Sequence, residues 1–135
     1  MKEEVSIFIE GIVQDGDEDR IITNATGRYR RYDKTHILKY EDPDNGLNII
    51  KISPLMVEII KIGDNSTHMV FDLNESTQSE YETQYGSLFF QIKTTAINIV
   101  EKHNEIILNM EYSLSHSDSH ISDNRIHIEI KEINN

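Results

Sequence analysis

The chain has no cysteine, no tryptophan and only two prolines in 135 residues. Without cysteine there are no disulfide staples, no thiolate nucleophile and no Cys-ligated zinc. A chain this long needs none of them to fold, because it buries about two-thirds of the surface it exposes when unfolded. Long apolar runs are also missing. None approaches the length needed to cross a bilayer. The start, MKEEVSIFIEG, meets charged and turn residues before it could build the apolar core of a secretion signal. Basic residues are scarce, 13 against 24 acidic, for a net charge of -11 with neutral histidine. Such a surface repels nucleic-acid phosphates, which are bound through Lys and Arg, and anionic membranes. The economical expectation is a cytoplasmic protein with neither nucleic acid nor membrane as partner. Its acidity serves solubility and keeps strand edges apart.

What the sequence does contain is period-two alternation, the mark of strands with one buried face. Val5, Ile7, Ile9 and Val13 fall on one side of a first strand, which the acidic run 15–19 ends. A polar strand follows from Ile21 to Tyr32, then a turn at Asp33-Lys34-Thr35 and a short strand from Ile37 to Glu41. The stretch 41–46, with Pro43 and Asn45-Gly46, reads as a turn. Leu47, Ile49 and Lys51 alternate with Asn48, Ile50 and Ile52 as far as Pro54. That proline excludes one helix over 47–62, since it would cost the helix about 3 kcal/mol. Met56–Ile62 and Thr67–Asp72 are further strands, Met69 and Phe71 sharing a face. A polar loop leads to a strand at Tyr81–Tyr85; Gly86 reverses the chain into Leu88–Lys93. Thr95, Ile97 and Ile99 share a face, 102–104 is a turn, and Ile106, Leu108, Met110, Tyr112 and Leu114 alternate after it. The stretch 116–124 reads as a flexible polar loop, and Ile126, Ile128 and Ile130 close the chain.

Nine or ten short strands joined by hairpin-length turns, each with one apolar side, predict an all-β fold. The expected architecture is a single antiparallel up-and-down barrel of about eight to ten strands, one domain over residues 1–135. A flat sheet of that width would leave its apolar face wet and two edges unpaired, and closure removes both problems. A two-sheet sandwich is the alternative.

Several short strings carry a family likeness. Gly27-x-Tyr29, Tyr40-Glu41, Lys61-Ile62-Gly63 leading to Met69-Val70-Phe71, Thr94-Thr95 and above all Tyr81-x-Thr83-x-Tyr85-Gly86 occur in order. On these the chain, over about residues 4–131, resembles the YwiB-like family of small bacterial proteins. The resemblance implies a calycin- or lipocalin-like β-barrel and implies no activity. Two departures stand out. The family often has an arginine before the glycine of the fifth-strand turn, where the nearest basic residue of this chain is Lys61, and the segment 27–32 is more basic here.

Candidate ligand-binding residues come in two sets. Tyr29, Tyr40, Thr83, Tyr85 and Thr95 offer hydroxyls that could orient a ligand's polar head at one barrel end; Tyr85-Gly86 equally shapes a turn. Glu41 beside Tyr40 is either a buried carboxylate or a solvated strand end. Arg28 and Arg30, two apart, sit on one strand face about 7 Å from each other. There they could grip a carboxylate or phosphate, or neutralise acidic side chains on neighbouring strands. His116 and His120 lie in a Ser/Asp-rich stretch that does not converge ligands by itself, so no metal is assigned. No nucleophile elbow, P-loop or zinc-protease motif is present, so no catalytic residue and no cofactor is assigned and an enzyme is not indicated. Three functions stay open. The first is a binding module for a small apolar or amphipathic ligand in the barrel. The second is a filled-core interaction or scaffold protein acting through its outer surface, as a homodimer. The third is a small-molecule enzyme at the barrel mouth.

Overall fold

The computed structural model of the protein describes residues 1–14, 19–42 and 46–133. Among them run ten strands: β1 (Glu4–Val13), β2 (Asp19–Tyr32), β3 (Thr35–Asp42), β4 (Gly46–Ile52), β5 (Met56–Ile62), β6 (Thr67–Asp72), β7 (Thr77–Thr83), β8 (Gly86–Glu101), β9 (Glu105–His116) and β10 (Ser119–Glu132). Each pairs antiparallel with its sequence neighbours, and β1 pairs with both β2 and β10, which closes the wall. This is the up-and-down barrel expected from the alternation. Turns at 33–34, 53–55, 73–76 and 102–104 mark one end, called the lower end below. Turns at 63–66, 84–85 and 117–118 mark the upper end. The turns read into 15–18 and 43–45 lie outside the described residues.

The wall bends at two places. Strand β2 pairs with β1 from Asp19 to Arg28 but with β3 only from Arg28 to Tyr32. Strand β8 pairs with β7 up to Ile92 and from Lys93 onward with β9 alone. Each of these strands therefore passes from one layer to the other, as corner strands do where sheets pack face to face. At the β2 corner the chains come too close for a side chain: a Cβ on Gly27 would lie 2.5 Å from the Lys39 carbonyl oxygen. At the β8 corner the register shifts between Thr94 and Ala96. Such a bulge adds one residue to the bulged strand and bends it.

Register fixes the inner face. Ile7 lies opposite Ile130, which lies opposite Ile106; Leu38 lies opposite Ile50, and Val57 opposite Phe71. These side chains, with Leu108, Ile128 and Met110, form the buried core and fill the barrel's waist. Each fully buried Ile, Leu or Phe contributes about 1.5–3 kcal/mol. The seam between β6 and β7 is the thinnest part of the wall, with only Thr67–Tyr81 and His68–Glu80 paired.

Three expectations are corrected. Leu88–Lys93 and Thr95–Ile99 are parts of one strand, and Thr95 does not share a face with Ile97. The bulge shifts the parity, so Thr94 is the residue turned inward and Thr95 is exposed. The stretch 116–124 is a tight hairpin instead of a flexible loop. Ser117 and Asp118 have φ of 49° and 63°, the positive pair that a two-residue type I′ turn requires, and β10 starts at once. The seventh strand spans Thr77–Thr83, starting four residues and ending two residues earlier than expected, which leaves Tyr85 in the turn.

Candidate functional site

Alternation places Tyr29, His36 and Glu101 on the inner face at the lower end. Tyr29 belongs to β2, and His36, the second residue of β3, lies opposite the exposed Arg31 of β2. Glu101 ends β8 on the face that carries Ile97 and Ile99. Tyr29 is 7% and His36 4% exposed, so the imidazole needs partners, and it has two. The Tyr29 hydroxyl lies 2.7 Å from His36 Nδ1, with ring centroids 5.7 Å apart. Across the barrel end, His36 Nε2 touches Glu101 Oε1. A carboxylate only accepts, so Nε2 carries a proton; in the neutral imidazole Nδ1 then accepts and Tyr29 donates to it. The line joins β2, β3 and β8 and bridges the two layers of the wall.

Burial pushes the Tyr29 phenol above its ordinary range; Arg31 opposes that and Glu101 adds to it. Tyr29 is thus a neutral donor near pH 7, well suited to fixing the His36 tautomer and poorly suited to nucleophilic attack. Beside the line lies a cleft of about 370 Å³ lined by Lys34, His36, Ile52, Ser53, Pro54, Ile97, Ile99 and Glu101. Ile97 and Ile99, both partly exposed, make an apolar wall with the fully buried Ile52 behind it. Lys34, His36 and Glu101 make a polar rim, and the Ser53 hydroxyl is tied to Thr35 Oγ1 at 3.0 Å. A wider groove, about 580 Å³, crosses the outside of β1, β10, β9 and β8, past Glu10, Asn98, Asn109 and His127. None of the buried polar side chains lines it, and His127 Nδ1 is already engaged by Asn109 Oδ1 at 2.7 Å.

Of the residues singled out in the sequence, Tyr29 alone takes part in the hydrogen-bonded line. Arg28 and Arg30 occupy the opposite, outer face of β2. Arg28 meets Glu3 at 3.0 Å with both side chains largely exposed, a pair worth about 0–1 kcal/mol. Tyr40 faces inward on β3 nearer the upper end, its phenol raised by burial and then by Asp42. Glu41 is exposed on the outer face. Thr83 shapes the turn before β8: its hydroxyl donates to the Gly86 carbonyl at 2.7 Å and accepts the Tyr85 amide at 3.2 Å. Tyr85 itself is 91% exposed. Thr95 sits on the bulge, donating to the Glu111 carbonyl at 3.2 Å. Among the described residues no group of three or more His, Cys, Asp or Glu is arranged to hold a metal. His116 is bound to the Phe89 carbonyl at 2.8 Å, and His120 lies 3.7 Å from Asp123.

Sequence reasoning missed His36 and Glu101. A signal existed: His36 and Glu101 each continue an inward-facing set, His36-Leu38-Tyr40 and Ile97-Ile99-Glu101, and so stand where an apolar residue is expected.

A family model described as a domain of unknown function (DUF1934) matches residues 7–128. Among solved structures, the crystal structure of the YwiB protein from Bacillus subtilis is similar. Its TM-score is 0.84 at 19% identity, covering 98% of this chain and 93% of that one. At that identity the likeness establishes the fold alone. No curated protein matches the sequence. The ten-stranded barrel and the match over most of its length lead to one conclusion: this chain belongs to the DUF1934 family.

Proposed function

We propose that the protein is a non-catalytic binding module that takes a small amphipathic molecule at the lower end of its barrel. The observation that carries this reading is the cleft of about 370 Å³ with an isoleucine wall and a polar rim around the buried His36. Its size falls in the range of small-molecule sites, about 300–1,000 Å³, and its mixture of one apolar wall with a few convergent polar groups is typical of them. The packed waist confines a ligand to the end and argues against a deep calyx. A phenol held protonated and an imidazole with both nitrogens engaged favour binding over catalysis. The acidic, cysteine-free composition suits work in the cytoplasm.

The test is a titration with 1-anilinonaphthalene-8-sulfonate, an amphipathic fluorescent anion, alongside native mass spectrometry of undenatured protein. One saturable site, lost in Ile99→Arg while circular dichroism stays unchanged, is expected. No saturable binding to the wild-type protein refutes the reading. One observation favours a second reading, a homodimer through an exposed strand. Among the described residues the first half of β2 has no neighbour on its β3 side, and there Ile21 and Ile22 are 70% and 53% exposed. Sedimentation equilibrium decides it: a dimer supports this reading and a monomer at every concentration removes it.

A further inference from the structure

We infer that Glu101 occupies the place of the ligand's own head group, and that the ligand is a small carboxylic acid with an apolar chain. The inference rests on the binding reading above and adds the chemical class of the molecule.

His36 supplies the first step. Its ring is 4% exposed and its Nδ1 is taken by Tyr29, so its single remaining donor, Nε2–H, points across the cleft toward an acceptor. A buried donor without an acceptor is costly, and here the acceptor is a carboxylate oxygen of Glu101. Glu101 is a poor permanent partner. It is the last residue of β8, its side chain is 52% exposed, and holding it across the barrel end freezes a flexible chain that water would otherwise solvate. The site asks for a carboxylate at that point but does not need it to come from the protein.

Charge supplies the second step. Lys34 lines the cleft. Arg31 lies opposite His36 in the β2–β3 register, its Nε donating to the Asp33 carbonyl at 3.0 Å. Neither cation has an acidic partner among the described residues. In a chain with 24 acidic residues and a net charge of -11, one unpaired cation lining the cleft, Lys34, with a second, Arg31, on the neighbouring strand end, makes a local site for an anion. The isoleucine wall supplies the third step. A molecule whose carboxylate accepts from His36 Nε2 and from the Lys34 ammonium can lay an apolar chain along Ile97 and Ile99, in front of the buried Ile52, while Glu101 swings out into water. Charge-assisted hydrogen bonds favour a carboxylate over a hydroxyl at the same point.

Displacement of the bound fluorescent anion by octanoate and by 1-octanol, which share a chain and differ in the head, tests the inference. In the wild-type protein octanoate is expected to displace at lower concentration than octanol. Glu101→Ala should strengthen octanoate by about tenfold and leave octanol unchanged. Removing a negative charge alone could raise anion affinity, so Glu101→Asp is the decisive variant. It keeps the charge but withdraws the carboxylate from His36 by one methylene, and octanoate should again gain over octanol. His36→Phe should abolish the preference. If octanoate and octanol displace equally in the wild-type protein, or if Glu101→Asp leaves their ratio unchanged, the inference is overturned while the binding reading stands. If the fluorescent anion itself finds no saturable site, both fall.

Discussion

Replacing Thr94 with valine should stabilise this protein. Thr94 turns inward at the β8 bulge, is 6% exposed, and its Oγ1 has no hydrogen-bond partner. In the unfolded chain that hydroxyl is solvated by water; on folding it loses the water and gains nothing. A buried polar group left unsatisfied costs about 1–3 kcal/mol. Valine has nearly the same shape, keeps the β-branching that suits a strand, and exchanges the hydroxyl for a methyl group. The expected gain is about 1–2 kcal/mol. For a chain of this length, with an unfolding entropy of about 2 cal/mol/K per residue, that raises Tm by roughly 4–7 °C. Urea unfolding followed by circular dichroism measures it, and the midpoint should rise at constant m, as a pure stability change requires. Thr94→Ser, which keeps the hydroxyl and deletes the methyl, should be less stable than wild type and serves as the control. A Thr94→Val protein destabilised by about 1 kcal/mol or more refutes the reasoning. The hydroxyl would then have a partner in solution, and an ordered internal water is the simplest one.

Other outcomes follow from the same structure. Gly86 is the first residue of β8, with φ of +117°, and Gly86→Val should cost at least about 1 kcal/mol in urea unfolding even though a Cβ there meets nothing within 4 Å; an unchanged midpoint contradicts the turn assignment. Burial, with a smaller contribution from Tyr81, pushes the Tyr112 phenol up to about 12. Since the unfolded phenol titrates near 10, its contribution is complete below pH 10 and is lost as pH rises to about 12, a loss of up to about 3 kcal/mol. Stability measured across that range should fall, and Tyr112→Phe should flatten the fall. Arg28→Gln combined with Arg30→Gln should change stability by less than about 0.5 kcal/mol, because both side chains are exposed on the outer face; a larger loss means that the outer face of β2 does more than meet Glu3.

Where apolar and polar residues alternate without interruption, the fold is legible in the chain. Ile126-Ile128-Ile130 against Arg125, His127 and Glu129 can only be a strand with one buried face, and Met69 with Phe71 points the same way. Pro54 separates β4 from β5 where the register places the break. Period two fails where one residue is added. At Thr95 the bulge shifts parity, and no local pattern marks it, because threonine suits either face; a slip of one residue moves every later side chain to the other side. The hairpin at Ser117-Asp118 was hidden because neither residue is the glycine usual in such turns, and because Ser122 and Asn124 are polar yet buried. The candidate site was harder still. His36 and Glu101 are 65 residues apart in sequence, and only closure of the barrel brings them together. Tyr29 was found for its hydroxyl and for a family likeness, not for the imidazole it supports.

The claim that an amphipathic molecule binds at the lower barrel end, against a packed waist, has a direct test in methyl NMR. Protein labelled at the isoleucine methyl groups would be titrated with octanoate. Shifts at Ile97 and Ile99, with Ile50 and Ile128 of the waist unmoved, are the expected result. Shifts confined to Ile12 on the outer groove, or no shift at any isoleucine, would contradict it.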